Sequence, residues 1–416
     1  MLWRLGGWLL AAGVAAWGQV RILGYWWENP LPYQSTPSGL SSLTAEQCGI
    51  CHQEIYQEWR ASVHAHALSD RQFQVEMAKS PETSWLCLNC HTPLENQLAS
   101  IAVAVRDRST HQPILKPNPR FDAALSREGV TCAVCHVQDG IVLGPYGDTK
   151  APHPTRRDPR LLDERACGSC HQATAAYTDT LICTFDTVGE WRQSPYPARG
   201  QSCTYCHMPP VSRPVALGGP VRPSRRHLFL GSRIPKQAPL PAEHRAYYDL
   251  YSSGLSVRIE PGNPAGETLP VKLVLRNARS GHLLPTGDPE RYILIHTELL
   301  DSAGTRLDRQ SHRIGQEWVW NPKARKISDN RLKPLESRTL QLVLQTGGSR
   351  PPARIRVVAE NWRMSPENAA YHKLTVAYPL SAIALRLERR LAQRQASPAP
   401  VDGQAQHLPY LPKQLP

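Results

Sequence analysis

The chain has 416 residues, a length that suggests two or three domains. Apolar residues make up 41% of it, enough for a core, yet it has only four Phe and four Met, and its 38 Pro exclude long regular elements throughout. The formal net charge is +13, carried mostly by Arg, a balance that suggests nucleic acid, anionic lipid or an acidic partner unless another source of negative charge is present.

The chain opens with Met1-Leu2-Trp3-Arg4 and an apolar run from Leu5 to Gly18. A basic start and a run of this length read as a secretory signal peptide, with Ala16 and Gly18 as the small residues at a cleavage site. The rival reading is an uncleaved membrane anchor continuing to Leu23, with Trp26 and Trp27 at the interface; Gln19 and Arg21 interrupt it. Either reading of residues 1–27 exports the chain to a periplasmic or extracellular place. Residues 28–43 are rich in Pro and Ser and read as a linker.

Five copies of one pattern follow: Cys48-Gly49-Ile50-Cys51-His52, Cys87-Leu88-Asn89-Cys90-His91, Cys132-Ala133-Val134-Cys135-His136, Cys167-Gly168-Ser169-Cys170-His171 and Cys203-Thr204-Tyr205-Cys206-His207. In a chain of this composition about 0.01 such matches are expected by chance. The pattern is that of covalent haem c attachment: two thiols add to the two vinyl groups of one porphyrin, and the next residue places an imidazole under the iron. Structural zinc needs four ligands and no His after every pair, and local disulfides leave the His unexplained.

The motifs begin 39, 45, 35 and 36 residues apart, so residues 44–231 are expected to hold five haems among short helices and loops. Packing that dense sets haem against haem and lets the macrocycles supply the apolar bulk that Phe and Met do not. Ten propionates offset most of the basic charge, and fork-shaped Arg suits them. Together with the lack of aromatic–basic interleaving, this removes nucleic acid as a partner.

Five proximal His leave eleven of the sixteen. His64, in the Pro- and Gly-free stretch Glu58-Trp59-Arg60-Ala61-Ser62-Val63-His64-Ala65-His66, is the first candidate for a distal ligand; helix is expected there, with His66 on its surface. A similar string, Glu190-Trp191-Arg192-Gln193-Ser194, precedes the fifth motif, with Tyr196 at the place of His64. His153 in Pro152-His153-Pro154, His227 and His282 complete the candidate set, with His111 weaker. His244, His296, His312, His372 and His407 read as ordinary structural or exposed residues. Met208 is too near His207 to reach the opposite face of the same haem and reads as packing; Cys183, outside every motif, reads as a buried inert thiol.

Residues 232–254 read as a connector. From 255 the pattern alternates: Val257–Ile259, Val271–Leu275, Tyr292–Leu299, Leu340–Leu344, Ile355–Val357 and Leu374–Val376 are expected as strands of an antiparallel β-sandwich of immunoglobulin-like type over 255–380. Residues 381–395 are basic and expected to be helical, and 396–416 form a Pro/Gln-rich tail. The fold class is therefore multidomain, a mostly α and irregular multihaem region followed by a β-sandwich.

The strings Cys48 to Ala67, Gly129 to His136, Pro152-His153-Pro154, Cys167 to His171, Glu190 to Pro209, Gly281 to Gly287 and Asp329 to Leu332 resemble the cytochrome c-554-type multihaem cytochromes, over about residues 44–380. The resemblance implies electron transport outside the cytoplasmic membrane and a distal role for His64. It departs in haem number, five here against four in the type member. Mostly bis-His haems imply a carrier serving other redox proteins or membrane quinol-linked complexes. The alternatives are an enzyme acting on a small nitrogen or sulfur compound at one open iron, or a self-associating subunit of an extracellular cytochrome filament, the latter by resemblance only.

Overall fold

The computed structural model describes residues 26–391 apart from 108–110, 146, 148–149, 177–181, 238, 252, 349 and 375–376, and leaves out the side chains of 174–183. The export segment, the C-terminal tail and the Cys183 side chain therefore lie outside the described residues. Among the described residues no helix is long and apolar enough to cross a membrane.

The motif-bearing half is built from short helices: α1 (Ala45–Gly49), α2 (Gln53–Ala61), α3 (Arg71–Lys79), α4 (Ser84–His91), α5 (Cys132–His136), α6 (Arg165–Gly168), α7 (Thr187–Arg192) and α8 (Cys203–His207). Every motif begins in a helix, because a cysteine pair three residues apart faces one way only on a helical turn. Small sheets join them, such as Val137–Gln138, Ile141–Gly144 and Thr155–Arg157, and the hairpin Pro210–Pro214/Val221–Arg225. Its buried apolar clusters are small: Trp27, Trp85, Leu86, Ala102, Val105 and Ala173 form one, and Leu43, Leu94, Leu125 and Ala133 another.

The helix expected through His66 ends at Ala61. Ser62 turns extended (φ −81°, ψ 160°), and His64 sits in the turns that follow. The cause is tertiary: the His64 carbonyl accepts Val130 N–H (3.0 Å), and a Cβ on Gly129 would lie 2.5 Å from that same oxygen. Segment 28–43 is packed rather than a free linker. Leu31 bridges to Leu94, and buried Gln34 exchanges hydrogen bonds with Asn96 (2.8 and 2.9 Å). Trp27 is buried against Trp85 and Leu86, so a membrane-interface role for it is excluded, while Trp26 is exposed. The connector holds α9 (Ala242–Asp249), tied to α2 by Tyr248 Oη–H donating to the Ala61 carbonyl (3.2 Å).

The C-terminal half contains β1 (Leu255–Pro261), β2 (Thr268–Asn277), β3 (Tyr292–Asp301), β4 (Arg306–Val319), β5 (Arg325–Asp329), β6 (Ser337–Gln345), β7 (Pro352–Trp362) and β8 (Ser381–Arg390). They form two antiparallel sheets, of order β1-β2-β6 and β5-β4-β3-β7-β8. Along β2 every second residue, Leu269, Val271, Leu273 and Leu275, turns inward to meet Ile293, Ile295, Ile355 and Val357 of the other sheet in one cluster. The segment expected as a basic helix is β8. Leu, Arg and Glu favour helix in isolation, but pairing with β7, supported by Arg356–Glu388 (2.7 Å), overrides propensity. Leu374 lies outside any strand and residues 375–376 outside the described residues, so the strand expected at 374–376 is absent at its first residue. Strands β4 and β5 were not expected, because their charged, mostly exposed residues hide the alternation.

Leu273 is fully buried in this cluster, whereas Ile383 on β8 is 42% exposed. Leu273→Ala should lower unfolding stability by about 2–5 kcal/mol through lost burial and the cavity left behind. Ile383→Ala should change it by at most about 0.5 kcal/mol. Denaturant unfolding followed by circular dichroism distinguishes the two.

Candidate metal centres

Four histidine pairs face each other across gaps of nearly constant width. Ring centroids lie 6.5 Å apart for His52 and His153, 6.3 Å for His171 and His64, 6.1 Å for His136 and His227, and 6.3 Å for His207 and His282. Each pair joins the histidine of one motif to one of the four histidines singled out from the sequence as distal candidates. In direct contact two rings would lie closer; at this spacing there is room for one atom between the imidazole nitrogens. Two metal–nitrogen bonds of about 2.0 Å each, with the ring radii added, put trans imidazoles on one metal about 6 Å apart between centroids.

Six of the histidines are tied to backbone through Nδ1, whereas the Nδ1 of His153 is buried without a hydrogen-bond partner. His52 Nδ1 donates to the Val215 carbonyl (2.6 Å), His91 Nδ1 to Ala67 (2.7 Å), His136 Nδ1 to Leu143 (2.8 Å) and His207 Nδ1 to Leu230 (2.7 Å). Among the facing histidines, His227 Nδ1 donates to Arg225 (2.9 Å) and His282 Nδ1 to Leu283 (2.8 Å). A carbonyl only accepts, so the proton is on Nδ1 and the Nε2 lone pair is directed into the gap, as a metal-ligating imidazole requires. Burial keeps four of the rings neutral. It pulls His64 down to about 3 and His171, His227 and His282 to about 4, each below the ordinary 6.5, with smaller contributions from neighbouring charges.

Local structure explains the placement. The small sheet Val137–Gln138/Ile141–Gly144/Thr155–Arg157 supplies the Leu143 carbonyl to His136 and anchors the Pro152-His153-Pro154 turn beside it. The hairpin after α8 reaches back to the first motif, donating Leu217 N–H to the Cys51 carbonyl (2.8 Å), and then runs on to His227. His282 arrives from the loop between β2 and β3, so the two halves of the chain meet in one pair.

His91 differs. The ring against it is Phe73, stacked at 3.6 Å and 2°, and among the described residues no second histidine faces it. Burial first, then the positive charge of Lys236, hold it at about 4. Lys236 is itself paired with Asp70 (2.8 Å), which also meets Arg363 (3.2 Å) and Tyr378 (2.5 Å). Lys236 and Tyr378 line a cavity of about 270 Å³ together with His66, Ser69 and Arg71. Lys236 was not singled out from the sequence; a lone Lys in a connector gives no signal there.

Of the other histidines, His66 donates to the Arg60 carbonyl (3.0 Å), His296 meets Ser311 (2.8 Å) and His372 meets Glu76 (3.0 Å). His111 is buried at a positive φ of 52°, and His407 lies outside the described residues. Met208 caps α8, its carbonyl accepting from Arg225 (3.0 Å).

None of the ten motif cysteines is in a disulfide, so both sulfurs of every motif are available to a covalent attachment. Cys48 touches Cys132, Cys90 touches Cys170, and Cys167 touches Cys203. The first motif therefore lies against the third, the second against the fourth, and the fourth against the fifth, an order different from that along the chain.

A structure search places this architecture. The penta-haem cytochrome c552 from Thermochromatium tepidum superposes over 85% of this chain and 100% of its own, with a TM-score of 0.58 and 18% identity. The chain shares the fold of a penta-haem cytochrome c. At this identity the likeness is one of fold alone. A glycosyl hydrolase family 2 member from Bacteroides cellulosilyticus (9% identity, 32% of this chain and 14% of that one, TM-score 0.17) carries no argument. Nor does AvmM of alchivemycin A biosynthesis (12% identity, 35% of this chain and 93% of that one, TM-score 0.20). No family model and no curated protein matches the chain.

The residues fit haem: paired thiols on a helical turn, neutral imidazoles with Nε2 directed inward, gaps sized for one metal, and a motif-bearing half whose side chains form only small apolar clusters. Burial depresses His64, His227 and His282, so protons compete for these three only as pH falls toward about 4 or below, not near the ordinary 6.5. The visible-spectrum contribution of the sites these three face should therefore be unchanged between about pH 8 and about pH 5 and alter only below that, as a spectrophotometric pH titration will show.

Proposed function

We propose that this protein is a multihaem c-type cytochrome that carries electrons between redox partners outside the cytoplasmic membrane. The observation that carries this reading is the set of four imidazole pairs at 6.1–6.5 Å. Haem supplies a reversible one-electron couple. The ten motif cysteines attach five haems; His52, His91, His136, His171 and His207 are the proximal ligands, and His153, His227, His64 and His282 the distal ligands of the first, third, fourth and fifth. A filled sixth position favours electron transfer over small-molecule chemistry. Thiols in contact between motifs support haems close enough for electrons to pass from one to the next. The two sheets over 255–390 form a sandwich of immunoglobulin-like type whose β2–β3 loop closes the fifth haem through His282. The partners are other redox proteins or quinol-linked membrane complexes.

A second reading is favoured by one observation: among the described residues His91 is faced by Phe73 and no imidazole, near the half-buried Lys236. An open iron there would act on a small nitrogen or sulfur compound, with the four paired haems feeding it electrons.

Pyridine haemochrome analysis of the holoprotein should give five haems per chain, and electron paramagnetic resonance four low-spin irons with bis-imidazole character. Fewer than five haems, or mostly high-spin iron, would overturn the carrier reading. The fifth iron separates the two readings: if it is high-spin and takes up cyanide or carbon monoxide, His91 marks an active site; if it is low-spin and inert, the protein is a carrier throughout.

A further inference from the structure

The two Glu-Trp strings, Glu58-Trp59 and Glu190-Trp191, make the same set of contacts at two different pairs. Each lies on a short helix, α2 or α7. Trp59 Nε1–H donates to the Val130 carbonyl (2.8 Å), two residues before Cys132. Trp191 Nε1–H donates to the Gln201 carbonyl (3.0 Å), two residues before Cys203. On the opposite side the carboxylates take the backbone that bears the facing histidine. His227 N–H donates to Glu58 (2.8 Å), and Leu283 N–H, next to His282, donates to Glu190 (3.2 Å). Cations complete both: Arg213 and Arg226 each lie 2.8 Å from Glu58, and Arg331 lies 3.0 Å from Glu190, which also accepts from the Thr286 hydroxyl (2.6 Å). The first string thus touches both segments that hold the His136–His227 pair, and the second both segments that hold His207–His282.

We propose that each Glu-Trp string is a brace that sets the gap of one imidazole pair, Trp holding the segment that enters the motif and Glu the segment that presents the facing histidine. Glu58, Trp59, Glu190 and Trp191 are positioning residues, and the duplicated string is a structural unit used once for the third haem and once for the fifth. The contacts select those two haems because each string sits between the segment entering one motif and the segment arriving with the facing histidine. His227 and His282 are the facing histidines that come from outside the five-motif run up to His207. In both, a carboxylate with its Arg partners holds the backbone at or next to the facing histidine. Divergence between the two units lies outside the brace. His64, six residues after Glu58, faces His171, whereas Tyr196, six after Glu190, points its hydroxyl at the Ala278 carbonyl (3.4 Å). Gly281 seats the second unit, since a Cβ there would come within 3.0 Å of Trp191.

The brace rests on the haem attachment proposed above, and the test separates the two. Wild-type holoprotein, Glu190→Ala, Glu190→Gln, Thr286→Val and the reference variant His282→Ala are compared for haem content, electron paramagnetic resonance and carbon monoxide uptake by the reduced form. Wild type without five haems would refute the attachment reading itself. With haem content at five, Glu190→Ala should convert about one low-spin iron per chain to a form that binds carbon monoxide, matching His282→Ala. Glu190→Gln keeps an oxygen to accept from Leu283 N–H and Thr286 but loses the charge that Arg331 meets, and should convert a smaller fraction. Where Glu190→Ala loses haem or fails to accumulate, Glu190→Gln and Thr286→Val decide in its place by the same readout. A low-spin spectrum identical to wild type in these variants, with five haems retained and no added carbon monoxide uptake, would overturn the brace.

Discussion

Four gaps of slightly more than 6 Å between imidazole rings are the constraint on which the rest of the structure depends. A metal–imidazole bond tolerates only tenths of an ångström, so the proposed ligation requires two segments, 75 to 107 residues apart in the chain, to be held at a fixed separation at each gap. The short helices, two-stranded sheets and Pro-rich turns of the first half make sense as devices for this purpose rather than as a conventional core. Its apolar clusters are small, and its largest buried polar groups, Glu58 with Arg213 and Asp70 with Arg363, sit where segments bearing the histidines cross.

Buried ion pairs of this kind contribute little net stability, because desolvation cancels much of their attraction. Their effect is on geometry. A carboxylate with two guanidinium partners and a backbone donor has few alternative arrangements, and losing one partner leaves a buried charge uncompensated. Glu58, bonded to Arg213, Arg226 and His227 N–H, is such a node. The C-terminal half works differently. There, alternating Leu, Ile and Val fill one cluster between two antiparallel sheets, and ordinary apolar burial holds the scaffold from which the β2–β3 loop reaches His207.

His91 stands apart from this scheme. Phe73 stacks flat on its ring, and the nearest charges form a buried network of Lys236, Asp70, Arg363 and Tyr378 drawn from the connector and from the loops around β7. Parts of the chain remote from the motif thus converge on the one motif histidine without a facing imidazole among the described residues. A site faced by a phenyl ring and nearby charged groups rather than by a second imidazole differs in chemistry from the other four.

The sequence by itself determined the repeat on which the proposed attachment rests. Five copies of two thiols and an imidazole were legible because spacing within five residues is a local property, independent of fold. The alternation in 257–259, 271–275 and 355–357 was legible for the same reason: period-two burial is written in neighbouring residues, whereas 292–299 is a near-continuous buried run. All four facing histidines were among the candidates, but only His153, in a Pro-flanked turn, and His64, in a string expected to be helical, carried a local signal. Which motif each one faces could not be read there, since His64 follows the first motif yet faces the fourth, and His153 follows the third yet faces the first. Tertiary structure also decided that 381–390 is an edge strand, that the helix after the first motif stops at Ala61, and that Lys236 lies near His91. In each case the deciding contact comes from a distant segment: β7, Val130 and Asp70. Pairing across such separations depends on how the chain closes its loops, and no local pattern of residues encodes it.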